Sequence, residues 1–560
     1  MFSYIKKFFN TNISFLIILI IVVFSLYGKA INYELTNLDD TILIKDNITY
    51  ISNIKNIPDF FTTSCFYSKD CSYYRPILTL SFAIETILFG YNIKVYHITN
   101  ILLYILSFYL MFVLLLKLKL NKNISKFILL LFAVHPILLS LPIWIPARND
   151  TLITVFTLLF FINIVLFYNN NFDKYKVFYY LFFLLALFTK ENAIILIPVY
   201  FLFIYTFQFK IKKRQILKDI LIFLFIFLLY ITLRNISISN ISVLSKIANY
   251  KLILKNIING LFIFTEKLIF TEHIPILLYS IKLTTSTIII NLLTIFLLIF
   301  IYIKKTISAK KFIFSFLWYL LFLLPTFFIF EEQIFFHRLL LPLFGIIFFI
   351  SSLIEQILIR YKFLKKYFIF VAIILFCTFF YSSSVQIFKY KDNKYFTINT
   401  YLDSHNRISD YAFIDLLINT GHFEDAKNLL LKKMKERTTY REILVLAKLY
   451  LASGHFEEAE YAYLQLEKDL PVQKELVFVP LSEIYYIKED YQKAFDYIQK
   501  AYELKPYDTN TLKQLAKVDE KIGNIEQALD IYKNLSKIEK SNKEYKDKIS
   551  LLEKEIKKID

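Results

Sequence analysis

Long apolar runs separated by short basic loops constrain this chain more than any other feature. The first, Ile13 to Tyr27, follows Lys6 and Lys7 and has no small-residue cleavage site behind it. It therefore reads as an uncleaved signal anchor whose N-terminus stays inside. Further runs lie near 96–116, 126–145, 151–168, 176–189, 192–208, 217–234, 284–303, 312–330, 338–355 and 367–385. Set against a hydrocarbon core of about 30 Å, they predict about eleven spans. With 57% hydrophobic residues and a mean hydropathy of +0.51, the chain carries more apolar surface than a water-soluble core can hide. The expected class is all-α, a polytopic membrane helical bundle over residues 1–390 followed by an α-solenoid over 391–560.

The basic residues supply an orientation. Lys117/Lys119/Lys122/Lys126, Lys210/Lys212/Lys213/Arg214/Lys218, Lys304/Lys305/Lys310/Lys311 and Arg360/Lys362/Lys365/Lys366 all fall on alternate loops, as inside loops should. The net charge of +19 is thus accounted for by topology and by amphipathic repeats, and no nucleic-acid partner is implied. An odd number of spans places everything after about residue 386 outside. This is the periplasm if the membrane is a bacterial inner membrane, or the lumen if it is that of the ER.

The outside tail repeats itself. Gly421-His422-Phe423-Glu424-Asp425-Ala426 returns as Gly454-His455-Phe456-Glu457-Glu458-Ala459, then as Glu489-Asp490-Tyr491-Gln492-Lys493-Ala494 and Gly523-Asn524-Ile525-Glu526-Gln527-Ala528. The alanines are spaced by 33, 35 and 34 residues, the period of tetratricopeptide (TPR) helical hairpins. Such arrays bind a peptide or partner protein, and the alternative is a spacer or folding platform.

In the membrane half, Asp39, Asp40, Arg75, His97, His135, Arg148, Asp150, Lys190, Glu191, Glu331, Glu332, His337 and Arg338 fall at outer helix ends or in outer loops. Ionisable groups are costly there and mark function. Clustering on one side suits an outward-facing active site better than a conduction path, which needs such groups at the midplane. Arg and Lys bind a lipid phosphate, and a carboxylate in the first outer loop accepts the proton of an attacking hydroxyl. Together they would move a sugar from a lipid phosphate to an acceptor as fixed cations stabilise the leaving phosphate.

At these residues the chain resembles the transmembrane-and-TPR (TMTC-like) proteins, GT-C glycosyltransferases related to protein O-mannosyltransferases. The resemblance is carried by Leu38-Asp39-Asp40, Tyr74-Arg75-Pro76-Ile77-Leu78, Leu80-Ser81-Phe82, Phe89-Gly90-Tyr91-Asn92 and Tyr96-His97-Ile98-Thr99-Asn100. It continues through His135-Pro136, Ala147-Arg148-Asn149-Asp150, Lys190-Glu191 and His337-Arg338-Leu339-Leu340-Leu341-Pro342, and then the C-terminal repeats. It implies a GT-C fold, a first outer loop (31–95) with an acidic catalytic motif on Asp39-Asp40, and a polyprenyl-phosphate sugar donor. Asp39 or Asp40 would be the general base, with Arg148, Lys190, His337 and Arg338 at the donor phosphate and Arg75, His97, His135 and Glu191 as substrate contacts. The family commonly has Glu where His337 stands.

Other readings of the same residues stay open. Asp40 can cap a helix starting near Thr41, His135-Pro136 can be a helix kink, and Lys190-Glu191 can end a span with the lysine snorkelling. Arg148 with Asp150 can be a topological anchor, and Arg75 and His97 can be structural parts of the outer loop. Cys65 and Cys71 share the outer loop, where an oxidising compartment permits a disulfide. No Walker motif, dinucleotide-binding glycine pattern or zinc signature is present; no cofactor or metal is expected, and a divalent ion is not indicated. Segment 235–283 contains apolar stretches at Leu261–Phe270 and around Ile274–Ile281, read as helices lying along the interface that gate lateral access of the lipid donor. Two alternatives to the sugar transferase are a ligase or polymerase of lipid-linked glycans, centred on a late outer loop, and a non-catalytic TPR scaffold.

Overall fold

The computed structural model describes the chain from Thr11 to Ile559 except residues 37–38, 68–72, 171, 210–211, 239–249, 272, 277, 280–282, 329–332, 405–406, 437, 470–473 and 539–541. The described residues are almost wholly helical; a two-residue antiparallel ladder pairs Leu278 with Ile334 and Tyr279 with Gln333. The chain forms two compact units. One comprises Met1–Leu35, Phe61–Leu78 and Ile93–Ser404, and the other Thr36–Phe60, Thr79–Asn92 and His405–Asp560. The units therefore part at residue 404, where the sequence suggested 390, and the loop 31–95 divides between them.

In the first unit, eight helices among the described residues are long and apolar enough to cross a membrane: Asn12–Asn32, Ile93–Lys117, Ile145–Asn170, Lys213–Ser237, Thr285–Ile303, Ala309–Phe327, Phe336–Arg360 and Leu364–Tyr390. A ninth is reached if Lys122–Ala133 and Pro136–Ile143, bent by 62°, count as one span. Eight or nine fall short of the expected eleven because the fifth and sixth candidates are short. Helix Asp173–Thr189 has 17 residues and begins Asp-Lys-Tyr-Lys, which gives a rise of about 26 Å. Its successor, Leu196–Phe207, has 12.

Local chemistry sets the helix ends. Asn121 caps helix Lys122–Ala133 by accepting from Asn123 and Ile124 N–H, and Pro136 cannot continue that helix. His135 fills the break. Its Nδ1 accepts from Ile137 N–H at 3.2 Å, so the ring proton sits on Nε2, which lies 3.2 Å from the Leu268 carbonyl. The bland reading of His135-Pro136, a kink with a satisfied imidazole, is thus built into the backbone. Elsewhere helices cross closely at Gly345, where an added Cβ would meet the Ser315 carbonyl at 2.5 Å, and Trp318 Nε1 donates to Leu341 O at 2.9 Å beside it. Segment 235–283 holds the helix Tyr250–Ile269, longer than the expected stretch, and part of its second stretch lies outside the described residues.

Among residues 173–219 of the same unit a carboxyl group is enclosed. Asp219 is fully buried and accepts from Tyr179 at 2.7 Å, Gln215 at 2.7 Å, Tyr180 and Tyr200. Four donors from three helices satisfy a buried polar group that apolar surroundings would otherwise penalise.

From residue 407 onward the described residues of the second unit form nine helices in chain order, Arg407–Asn419, Phe423–Glu436, Tyr440–Ala452, Phe456–Asp469, Glu475–Ile487, Tyr491–Leu504, Thr509–Ile522, Ile525–Ile538 and Lys543–Ile559. Each packs on the next. The repeated alanines Ala426, Ala459, Ala494 and Ala528 are all fully buried, because a small side chain lets paired helices approach. The turn residues before them, Gly421, Gly454, Glu489 and Gly523, all have positive φ, the left-handed conformation that closes a helix. Segment Thr36–Phe60 belongs to this unit, its short helix Ile48–Ile51 lying against Ile525–Ile538.

Candidate functional site

The first unit gathers ionisable side chains from four chain segments. Pro146 sits in the 3-10 turn Ile145–Ala147, which leads directly into helix Arg148–Asn170, so the first helical turn carries Arg148, Asn149 and Asp150. Residues two apart on a helix point about 200° apart, which sends the two charges to different neighbours. Arg148 is fully buried and donates from Nε to Asn100 Oδ1 at 2.7 Å and from Nη2 to Tyr96 O at 2.9 Å. These bonds tie helix Arg148–Asn170 to helix Ile93–Lys117.

Asp150 faces the other way and is the hub of the cluster. Its Oδ1 accepts from Lys190 Nζ at 2.7 Å, and its Oδ2 lies 3.7 Å from His337 Nε2. Lys190 follows the end of helix Asp173–Thr189 with extended backbone, and the 3-10 turn Glu191–Ile195 comes next. Glu191 Oε1 receives Arg75 Nη2 at 3.3 Å. Arg338, from the 3-10 turn Phe336–Leu339, interacts electrostatically with Asp150, Arg75 and Glu191.

Aromatic rings frame these charges. Arg75 lies over the Tyr73 ring at 4.5 Å and Arg338 over the Phe335 ring at 4.9 Å, each a favourable cation–π placement. His337 lies beside the stacked Trp144 and Phe335 rings, its centroid 5.4 and 5.1 Å from theirs.

Among the described residues the basic side chains outnumber the acidic ones. Arg75, Lys190 and Arg338 stand against the two carboxyl groups of Asp150 and Glu191. Arg75 Nε and Arg338 Nη1 are also buried without a hydrogen-bond partner among the described residues. Unfilled guanidinium donors in a site where basic groups outnumber acidic ones suit an oxyanion, which would accept from both.

The cluster thus unites Arg75, Lys190, Glu191, His337 and Arg338 from the residues singled out in the sequence. Asp150 stands among the outer ionisable residues of the sequence, but no role was assigned to it beyond an anchor with Arg148, although an acid in the first turn of an apolar helix is itself a signal. The framing rings Tyr73, Trp144 and Phe335 carried no signal in so aromatic a chain. Glu331, Glu332 and Cys71 lie outside the described residues, so a Cys65–Cys71 bridge does too; Cys65 is buried. His97 is buried near the backbone of Tyr33 and Ile143, without a hydrogen bond of full geometry.

Asp39 and Asp40 belong to the second unit. Asp40 is buried; its Oδ2 accepts Thr36 N–H at 2.9 Å and its Oδ1 accepts Thr36 Oγ1 at 2.6 Å. It makes no capping bond to the turn Thr41–Lys45, so it reaches back along the chain rather than forward as an N-cap. Burial pushes its carboxyl up to about 7, against the lowering effect of the Thr36 bonds. A carboxyl with that affinity exchanges a proton near neutrality. Among the described residues, no three His, Cys, Asp or Glu side chains gather as a metal site.

Comparison with protein-family models, curated proteins and solved structures finds no match for this chain.

Proposed function

We propose that this multi-pass membrane protein is a GT-C-type glycosyltransferase that moves a sugar from a polyprenyl phosphate to a hydroxyl acceptor, protein Ser or Thr, on the outer face. In this reading its second unit is a TPR array that binds the acceptor or a partner. The observation that carries the proposal is the Arg75/Lys190/Arg338 cluster, in which, among the described residues, basic groups outnumber acidic ones and two buried guanidinium donors are unfilled. It has the chemistry to hold the donor phosphate and to stabilise its charge as the sugar leaves. Asp40, with a proton affinity near neutrality, has the property required of the base that deprotonates the acceptor hydroxyl. The motif order from Asp39-Asp40 to His337-Arg338 and the repeat period support the same assignment.

A second reading, a ligase of larger lipid-linked glycans, draws on His337 and Arg338, which place part of the cluster in a late loop. One assay separates the two. Protein in nanodiscs is given a panel of polyprenyl-phosphate sugars and extracted envelope proteins, and wild type is compared with the Asp39→Asn/Asp40→Asn double variant and with Arg338→Ala. Loss of transfer in a well-folded double variant is expected. Transfer retained by the double variant but lost in Arg338→Ala would favour the ligase, and no transfer by wild type from any donor would overturn the sugar-transferase reading.

A further inference from the structure

Helix Thr509–Ile522 begins after a stop. Pro506 follows the end of helix Tyr491–Leu504, and Asp508 caps the new helix by accepting Thr511 N–H at 2.7 Å. The linker between, Lys505 to Asp508, exposes one backbone carbonyl and delivers one N–H with no partner inside its own helix, that of Thr509 at the first helical position. Both are used by segment Thr36–Phe60 of the same unit. Thr509 N–H donates to Asp46 O at 2.8 Å, and Thr509 Oγ1 lies 3.1 and 3.0 Å from the carbonyls of Lys45 and Asp46. In return Thr49 Oγ1 donates to Tyr507 O at 2.7 Å.

Packing closes the contact. The Tyr50 and Tyr507 rings lie 4.9 Å apart, and Tyr50 also meets Phe60 at 5.6 Å. The C-terminal carbonyls of the turn Thr41–Lys45 thus meet the N-terminus of a 14-residue helix, an arrangement that the two backbone dipoles favour. Asp46 and Asp508 bring like charges together here, offset by Lys45, Lys505 and Lys513.

We propose that the linker Pro506–Thr509 is a clamp by which the repeat array positions the first outer loop, Thr509 and Tyr507 being positioning residues for the Asp39–Asp40 pair that precedes it. The positioning role rests on the sugar-transfer reading; the clamp itself does not. A protein bound to the repeats would then act on the acid pair through the loop. The array is part of the catalytic geometry in this view and not a detachable receptor.

The backbone supplies a selective probe. Asp508 has φ −67° and ψ 122°, the conformation preferred before proline, and proline is favoured at the first helical position. Thr509→Pro therefore leaves the helix intact and deletes both the N–H and the hydroxyl that hold the loop, whereas Thr509→Ser keeps both. The experiment is hydrogen exchange by mass spectrometry on the full chain in nanodiscs, read over peptides 41–56 and 509–522, with transfer kinetics alongside.

Thr509→Pro is expected to speed exchange in 41–56 about tenfold and leave 509–522 unchanged. It should lower kcat with KM for the lipid donor unaltered, and Thr509→Ser should match wild type in both. Unchanged exchange in 41–56 would overturn the clamp. Faster exchange with kcat intact would overturn the positioning role. If wild type transfers no sugar from any donor, the transfer reading fails and the exchange result alone decides the clamp.

Discussion

Asp40 shows how much a single buried carboxyl can impose. Its proton affinity in the folded chain, near 7, exceeds the ordinary 3.8 of an aspartate, so the folded state binds the proton more tightly than the unfolded state does. The stability this contributes is complete below about pH 4 and is lost as pH rises through about 7. Wild type should therefore lose thermal stability across that window, and Asp40→Asn should flatten the loss; equal slopes in thermal melts of the two would show that Asp40 titrates normally. Arg338 makes a different prediction. Arg338→Lys keeps the charge but not the planar fork, and Arg338→Ala removes both. Affinity for a polyprenyl phosphate should fall roughly ten- to hundredfold in the alanine variant and less in the lysine variant, as measured by titration in nanodiscs. At this scale the sequence revealed residue types but not partners. Arg148 and Arg338 looked equivalent as outer cations, yet one is turned onto Asn100 and Tyr96 and the other keeps a buried donor unfilled.

Among elements, the repeat turns offer the sharpest test. Gly421, Gly454 and Gly523 take a left-handed conformation without a Cβ to oppose it, but the equivalent position in the third register is Glu489, at φ 61°. Glu489→Gly should raise the thermal midpoint of the array, the relief being roughly 1 kcal/mol; a drop would mean that the glutamate side chain compensates its backbone. In the first unit Gly345→Ala should cost about 1–3 kcal/mol, since the new methyl meets the Ser315 backbone carbonyl and not a side chain that can swing away. Asp219→Ala would leave three tyrosine hydroxyls without their shared acceptor, and a clear fall in thermal stability is expected. Periodicity made the repeat helices legible because hydrophobic spacing and turn residues are local signals. The Asp219 cage was not legible, since its tyrosine donors are 19 to 40 residues away and tyrosine is abundant throughout the chain.

For the whole molecule the open quantity is the number of crossings. Apolar runs were easy to find, but a run becomes a span only if its helix is long enough, and helices Asp173–Thr189 and Leu196–Phe207 are shorter than their hydropathy suggested. Nine or eleven crossings put the C-terminal repeats outside, and eight put them inside. In a chain whose Cys65, Cys71 and Cys377 are replaced by serine, Lys557→Cys should react with an impermeant maleimide on intact cells; labelling only after permeabilisation would require an even count. The assignment to two units was the least legible property, because the loop 31–95 is continuous in sequence while its contacts are not. The protein also has just two tryptophans, and their placement makes it self-reporting. Trp144 borders the cationic cluster through His337, and Trp318 is locked at a helix crossing. With Trp318→Phe in place, emission would come from the single indole beside the cluster, so arrival of an anionic headgroup could be followed optically with no label attached.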